Sequence, residues 1–159
     1  MLKVNLITSA KIIAHGENFC YNVKKTLEVK VLNFVCKLDK NLYKIISENI
    51  SSDEVIITDR AIEHIKNSHA DNFENFSKYF SEIIIEPDYI LEANKPNRAL
   101  LLKEIEVENK KLKLILRLQT SADNPESKNS IVTFQHISDK RFNRYIKNAK
   151  ILYKNPKLK

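Results

Sequence analysis

Two histidines five positions apart, His64 and His69, stand in the string EHIKNSH, and Lys103, Arg117, Thr120, Lys128, Ser130 and Thr133 follow later in the chain. Imidazole exchanges protons near neutral pH, and guanidinium, ammonium and hydroxyl groups bind the oxygens of a phosphate. These residue types suit cleavage of RNA without a metal. A base takes the 2′-hydroxyl proton, an acid protonates the departing 5′-oxygen, and cations or hydroxyls hold the charge of the phosphorane between them. On composition alone a plainer alternative stands beside this one: His64 as a surface helix residue and His69 as a helix terminator.

Other chemistries find less support. Two histidines five apart do not share a helical face as a four-residue spacing would, no glutamate intervenes as in the zinc-protease motif, and carboxylate clusters are absent, so no metal site is expected. Gly16 is the only glycine, which excludes both a dinucleotide-binding fingerprint and a phosphate-cradling P-loop. Cys20 and Cys36 lack Cys-x-x-Cys spacing and lie in apolar sequence, so they read as buried free thiols. There is no nucleophile elbow, and no cofactor is expected.

The charge points to a polyanion. Lys and Arg total 27 against 20 for Asp and Glu, a formal charge of +7. The last twenty residues carry eight of the basic side chains and no acid. Neutralising phosphates releases counterions, and Arg141, Arg144 and Lys147 are the candidates for that contact, although a solvated basic tail fits the same residues. No apolar run approaches a membrane span, and the opening MLKVNLITSA lacks a secretory core, so a cytoplasmic location and no membrane partner are expected.

These side chains need elements to aim them. Residues 1–40 read as β-rich, with alternation at Val4 and Leu6, then Leu27, Val29 and Val31, then Phe34 to Leu38, and a turn at His15–Asn18. Leu42–Ile46 reads as a short strand and Val55–Ile57 as a buried one. Thr58 or Asp59 caps a helix starting near Arg60. On a continuous helix Ile62, Ile65 and His69 share a face that His64 does not, so both imidazoles reach one substrate only if the helix ends before His69. A second helix starts at Asp71, carries the stripe Phe73, Phe76, Phe80, Ile83 and Ile84, and stops at Pro87. Strands are expected at Tyr89–Leu91, Ala99–Ile105, Leu112–Leu118 and Ser130–Ile137, with a hairpin turn around Asn109 and a final helix capped by Ser138. This order points to an α+β fold on an antiparallel sheet. Arg117 and Gln119 face away from the leucine stripe. Ser130 and Thr133 fall on opposite faces of their strand unless a bulge intervenes, with Thr133 the preferred member of the site.

Three stretches carry a resemblance: the histidine pair in EHIKNSH, the run PDYIL…KPN…LLLKE, and TSADNPESKNSIVT. Over roughly residues 41–155 the chain resembles the phage-type barnase–EndoU–colicin–RelE-like (BECR) nucleases. The resemblance implies helices packed on a four- to five-stranded antiparallel sheet that carries the active site. It implies a nuclease domain at 41–155, between a β-rich extension at 1–40 and a basic tail at 156–159. It also implies a metal-independent endoribonuclease, in the role of a phage or mobile-element toxin or effector. RNA, tRNA included, is then the partner, with an antitoxin or immunity protein beside it. Position by position, His64 and His69 match the family's helix histidines, Arg117 and Thr120 its strand and turn, and Lys128, Asn129, Ser130 and Thr133 its loop and strand. The chain has Ser68 and Ala70 where the family often has Arg and Pro. The roles that follow are His64 and His69 as acid and base, Arg117 and Lys128 as phosphate clamps, and Ser130 and Thr133 as orienting donors. Lys103, Thr120 and Asn129 complete the substrate contacts. The alternative is a catalytically inactive nucleic-acid-binding module or a phage partner-binding protein.

Overall fold

Strict alternation builds the centre of the sheet. Leu112, Leu114 and Leu116 are fully buried on one face of a strand, each contributing about 2 kcal/mol through removal from water. The computed structural model describes residues 32–68 and 70–158. His69 therefore lies outside the described residues. So do the strands and turn expected before residue 32, Cys20, and most of the expected 1–40 extension.

The elements run β1 (Leu32–Lys37), α1 (Lys40–Tyr43), β2 (Glu54–Thr58), α2 (Asp59–Ser68), α3 (Ala70–Phe76), a 3-10 turn (Ser77–Tyr79) and α4 (Phe80–Ile85). Then come β3 (Tyr89–Glu92), β4 (Arg98–Ile105), a 3-10 turn (Glu106–Glu108), β5 (Lys110–Arg117), β6 (Asn129–Ile137), α5 (Asp139–Asn148) and β7 (Ile151–Lys154). The strands form one seven-stranded sheet in the order β1-β2-β6-β5-β4-β3-β7. The α+β class holds, but the sheet is larger than the four or five strands expected and is mixed, because β2 and β6 run parallel while the other pairs are antiparallel. A parallel pair needs a long crossover, and the helices and hairpin between β2 and β6 provide it.

One face is closed by helices. Tyr43 of α1, Ile65 of α2, Phe76 of α3 and Phe80, Ile83 and Ile84 of α4 pack on Val55, Ile57, Leu101, Leu112, Leu114, Leu116 and Phe134. The expected aromatic and isoleucine stripe is thus the docking surface, although a 3-10 turn divides its helix. Pro87 follows the end of α4 as expected, since it cannot donate the next hydrogen bond. The opposite, outer face carries a smaller core, where Phe142 of α5 covers Leu91, Leu100, Leu102 and Ile137. Ser138 caps α5 by accepting from the Arg141 N–H.

Two elements depart from the sequence expectation. Leu42–Ile46 is not a strand. Asp39 accepts from the Asn41 N–H at 2.8 Å and starts a short helix, and Tyr43 enters the core, its hydroxyl donating to the Ile84 carbonyl at 2.7 Å. β1 is the strand expected from Phe34 to Leu38, and it pairs with β2. After α5 the chain returns as β7 along β3, where Asn155 is buried and its N–H donates to the Asp88 carbonyl at 2.8 Å. The hairpin turn between β4 and β5 is where it was expected, with Asn109 in the left-handed region at φ 48, which asparagine tolerates.

Candidate active site

β2 keeps register with β6 only at Val55–Asn129 and Ile56–Ser130, and the chain then turns into a helix while β6 runs on. The Thr58 hydroxyl accepts from the Ala61 N–H at 3.2 Å and so caps the first turn of α2, which packs against β2, β6 and α3. Ile65 is fully buried on the helix-covered side. Arg60 and His64, four residues apart, share the flank that reaches over the edge of β6 toward the outer face.

On β6 a bulge decides which hydroxyls join them. Ile115 faces Thr133 and Leu116 faces Ile131, so Val132 is an extra residue without a cross-strand partner. An extra residue shifts the side-chain parity by one. Ser130, opposite Arg117, and Thr133, opposite Ile115, therefore reach the same face, while Ile131 and Phe134 stay in the core. This was the condition under which both hydroxyls could serve one site.

The result is an open cleft of about 510 Å³ on the outer face. His64, Arg60, Arg98, Ser130 and Thr133 line it, with Ala61, Ile115 and Val132 as apolar surface between them. No carboxylate lines it, and among the described residues none pairs with Arg60 or Arg98. Such a hollow attracts an anion. Its groups can move a proton, bind phosphate oxygens and orient a hydroxyl.

Arg117 stands at the rim. It lies opposite both Arg98 and Ser130 in register, and its guanidinium is bonded to Asp123. The Thr120 N–H first, then Arg117 and the Thr120 hydroxyl, hold the Asp123 carboxyl below its usual range against the opposing effect of partial burial. Thr120 therefore supports Asp123, at 2.8 Å from its N–H and 3.1 Å from its hydroxyl. Lys128 pairs with Glu54 at 2.7 Å and, with Thr120, lines a neighbouring depression of about 520 Å³.

Other expected residues lie apart from the cleft. The Asn129 side chain is fully buried, accepting from the Gln119 N–H at 2.8 Å and donating to the Ser52 and Glu54 carbonyls at 2.7 and 2.9 Å, so it fastens β6 to β2. Lys103 is on the helix-covered face, 8% exposed, with its ammonium donating to the Glu86 carbonyl at 2.9 Å and 3.3 Å from Asp88. Gln119, expected on a polar surface, is buried because the loop after β5 folds over it and its amide donates to the Asn124 carbonyl. Arg141, Arg144 and Lys147 are exposed on α5. His136 stacks on Phe76 at 5.6 Å on the helix-covered face, and burial, then Lys110, lowers its pKa. Cys36 is a buried free thiol, pushed by burial up to about 11. Among the described residues no three His, Cys, Asp or Glu side chains come together as a metal would require.

Arg60 and Arg98 were missed. Arg60 had a signal, since it precedes His64 by one helical turn. Arg98 shares parity with Leu100 and Leu102, but β4 is apolar on both faces, so alternation could not say which face was open.

No helix among the described residues is long and apolar enough to cross a membrane. No curated protein and no solved structure matches the chain significantly. The family described as phage-Barnase-EndoU-ColicinE5/D-RelE like nuclease2 matches residues 34–154, well over half the sequence and every strand from β2 to β7, and the chain belongs to that family.

Proposed function

We propose that the outer-face cleft is the active site of a metal-independent endoribonuclease. The supporting observation is that His64, Ser130 and Thr133 line one hollow with two arginines that have no carboxylate partner among the described residues. The scissile phosphate sits between Arg60 and Arg98. The 2′-oxygen attacks phosphorus, its proton passes to a base, and the P–O5′ bond breaks as an acid protonates the leaving 5′-oxygen. The products are a 2′,3′-cyclic phosphate and a 5′-hydroxyl end. His64 serves as one of the two proton carriers, and His69, one residue past the end of α2, as the other. Arg60 and Arg98 stabilise the phosphorane, Thr133 and Ser130 orient its oxygens, and Arg117 closes the rim. Lys128 and Thr120 contact the strand beyond, and Arg141, Arg144 and Lys147 supply longer-range attraction. Lys103 and Asn129, already engaged, maintain the fold.

The biological setting that fits is a phage or mobile-element toxin or effector acting on RNA in the cytoplasm, opposed by an antitoxin or immunity protein. The test is 5′-labelled RNA incubated with the protein and a chelator. Cyclic-phosphate ends support the reading. Intact RNA with a steeply salt-dependent gel shift would move it to a binding module. Induced expression should be toxic, and replacing His64 and His69 together should relieve it.

A further inference from the structure

The row of residues containing Arg98 continues past the cleft. Ser130 faces Arg117 and Arg117 faces Arg98 in cross-strand register. One residue along, where side chains alternate toward the helix-covered face, Glu92 faces Ala99, so the row passes onto the end of the sheet, and there the Glu92 N–H bonds the Lys150 carbonyl at 3.0 Å. With strands about 4.8 Å apart, the row crosses roughly 19 Å from Ser130 to Lys150. Two more hollows follow it. One, of about 300 Å³, opens at the end of the sheet, shares Arg98 with the cleft and adds Lys95, Asn97 and Lys150, with Ile45, Ile46 and Leu152 as its apolar wall. The next, of about 520 Å³, shares Asn94 and Lys150 with it and is walled by Arg144, Tyr145 and Asn148 at the end of α5.

We propose that this row is a track for single-stranded RNA, with phosphates on Arg98, Lys95 and Lys150 and one base, away from the scissile bond, held between Tyr145 and Asn148. The proposal rests on the ribonuclease reading of the cleft and adds the substrate class: an extended single strand several nucleotides long. The chemistry divides along the track. Cations follow the backbone, and an aromatic ring with neighbouring amides accepts a base. The last carbonyls of α5 carry partial negative charge, which disfavours phosphate there and accepts the N–H groups of a base. The Tyr145 ring is steadied by Lys113, whose ammonium lies 3.3 Å from the phenol oxygen. Glu92 answers Lys150 at 3.6 Å, but both side chains are mostly exposed, so solvent screens that pair and RNA displaces it at small cost. A duplex keeps its base faces stacked inside and cannot present one to Tyr145.

The test compares a 2′-O-methyl dinucleotide with a 2′-O-methyl hexanucleotide by fluorescence anisotropy on the full chain, so that no cleavage is needed. The hexanucleotide should bind at least about tenfold tighter, as one stacked base with added phosphate contacts implies. The exposed double variant Arg144→Ala/Asn148→Ala should reduce that advantage below about threefold. Tyr145→Leu, checked by thermal melting, should do the same. Equal affinities for the two lengths, or an advantage that survives both variants, overturn the track. Length-dependent binding that the variants erase, without cleavage of unmodified RNA, keeps the track and removes the nuclease reading. Cleavage without length dependence removes the track alone.

Discussion

The outer face of the sheet is covered over one half and bare over the other, and the same strands supply both. On β4, Leu100 and Leu102 lie under α5 while Arg98 opens into the cleft. On β6, Ile137 packs beneath α5 while Ser130 and Thr133 remain in the hollow. The covered half obeys packing: apolar side chains meet Phe142 and lose their water. The bare half holds arginines, hydroxyls and an imidazole that no helix buries. The proposed chemistry thus sits where the helical cover stops, on strands whose other ends are held by the part that is covered.

Changes in the two halves should separate activity from stability. The largest effect is expected for His64→Ala, which should reduce RNA cleavage by about 10²–10⁴-fold while changing unfolding free energy by less than about 1 kcal/mol, measured by labelled-RNA cleavage and urea denaturation. Full activity would remove the bare half from the mechanism. Asp88→Ala should do the reverse. It removes the buried carboxylate partner of Lys103, leaving that ammonium the Glu86 carbonyl at 2.9 Å and the half-exposed Glu82 at 3.8 Å, and it removes an acceptor 2.8 Å from the Glu104 N–H. The expected loss is about 3 kcal/mol of stability, with cleavage per folded molecule retained. Arg98→Ala, on the same strand as Lys103 but on the open face, should lower kcat/KM by about tenfold, as for one lost charge-assisted phosphate contact, with little change in the urea midpoint.

Smaller effects belong to the edges of the comparison. Arg141→Ala and Lys147→Ala should each flatten the salt dependence of RNA binding by about one unit if the side chain meets a phosphate, and an unchanged slope makes α5 a solvated cover. His136 gives the smallest. Its folded pKa lies below the ordinary 6.5, so the unfolded chain takes up the proton first. Its contribution is complete above that value and is lost as pH falls from it toward the lower folded value. Urea midpoints measured above and below pH 6.5 should show this drift, and His136→Gln should reduce it.

Much of the scaffold was legible from pattern. The Leu112–Leu116 alternation, the Phe73–Ile84 stripe, the caps at Thr58 and Ser138 and the stop at Pro87 act over a few residues, which is the range a sequence window covers. α1 and β7 were not legible. One buried tyrosine overrode the β-like run at Leu42–Ile46, and the final strand exists because β3 had an edge to fill. The site was legible in its residue types and less so in its membership. His64, Ser130 and Thr133 meet, whereas Lys103 and Asn129, equally plausible as types, turn inward to ion pairs and carbonyls.

From the sequence alone came the α+β class, the family, and an imidazole beside basic and hydroxyl groups, because composition, periodicity and motif order are local properties. The tertiary structure decided the parallel β2–β6 pairing, the bulge at Val132 that turns Ser130 and Thr133 to one face, and the arrival of Arg60 and Arg98 beside His64. Those outcomes depend on strand register and on where a helix ends its cover, and both are set by packing between residues far apart in the chain.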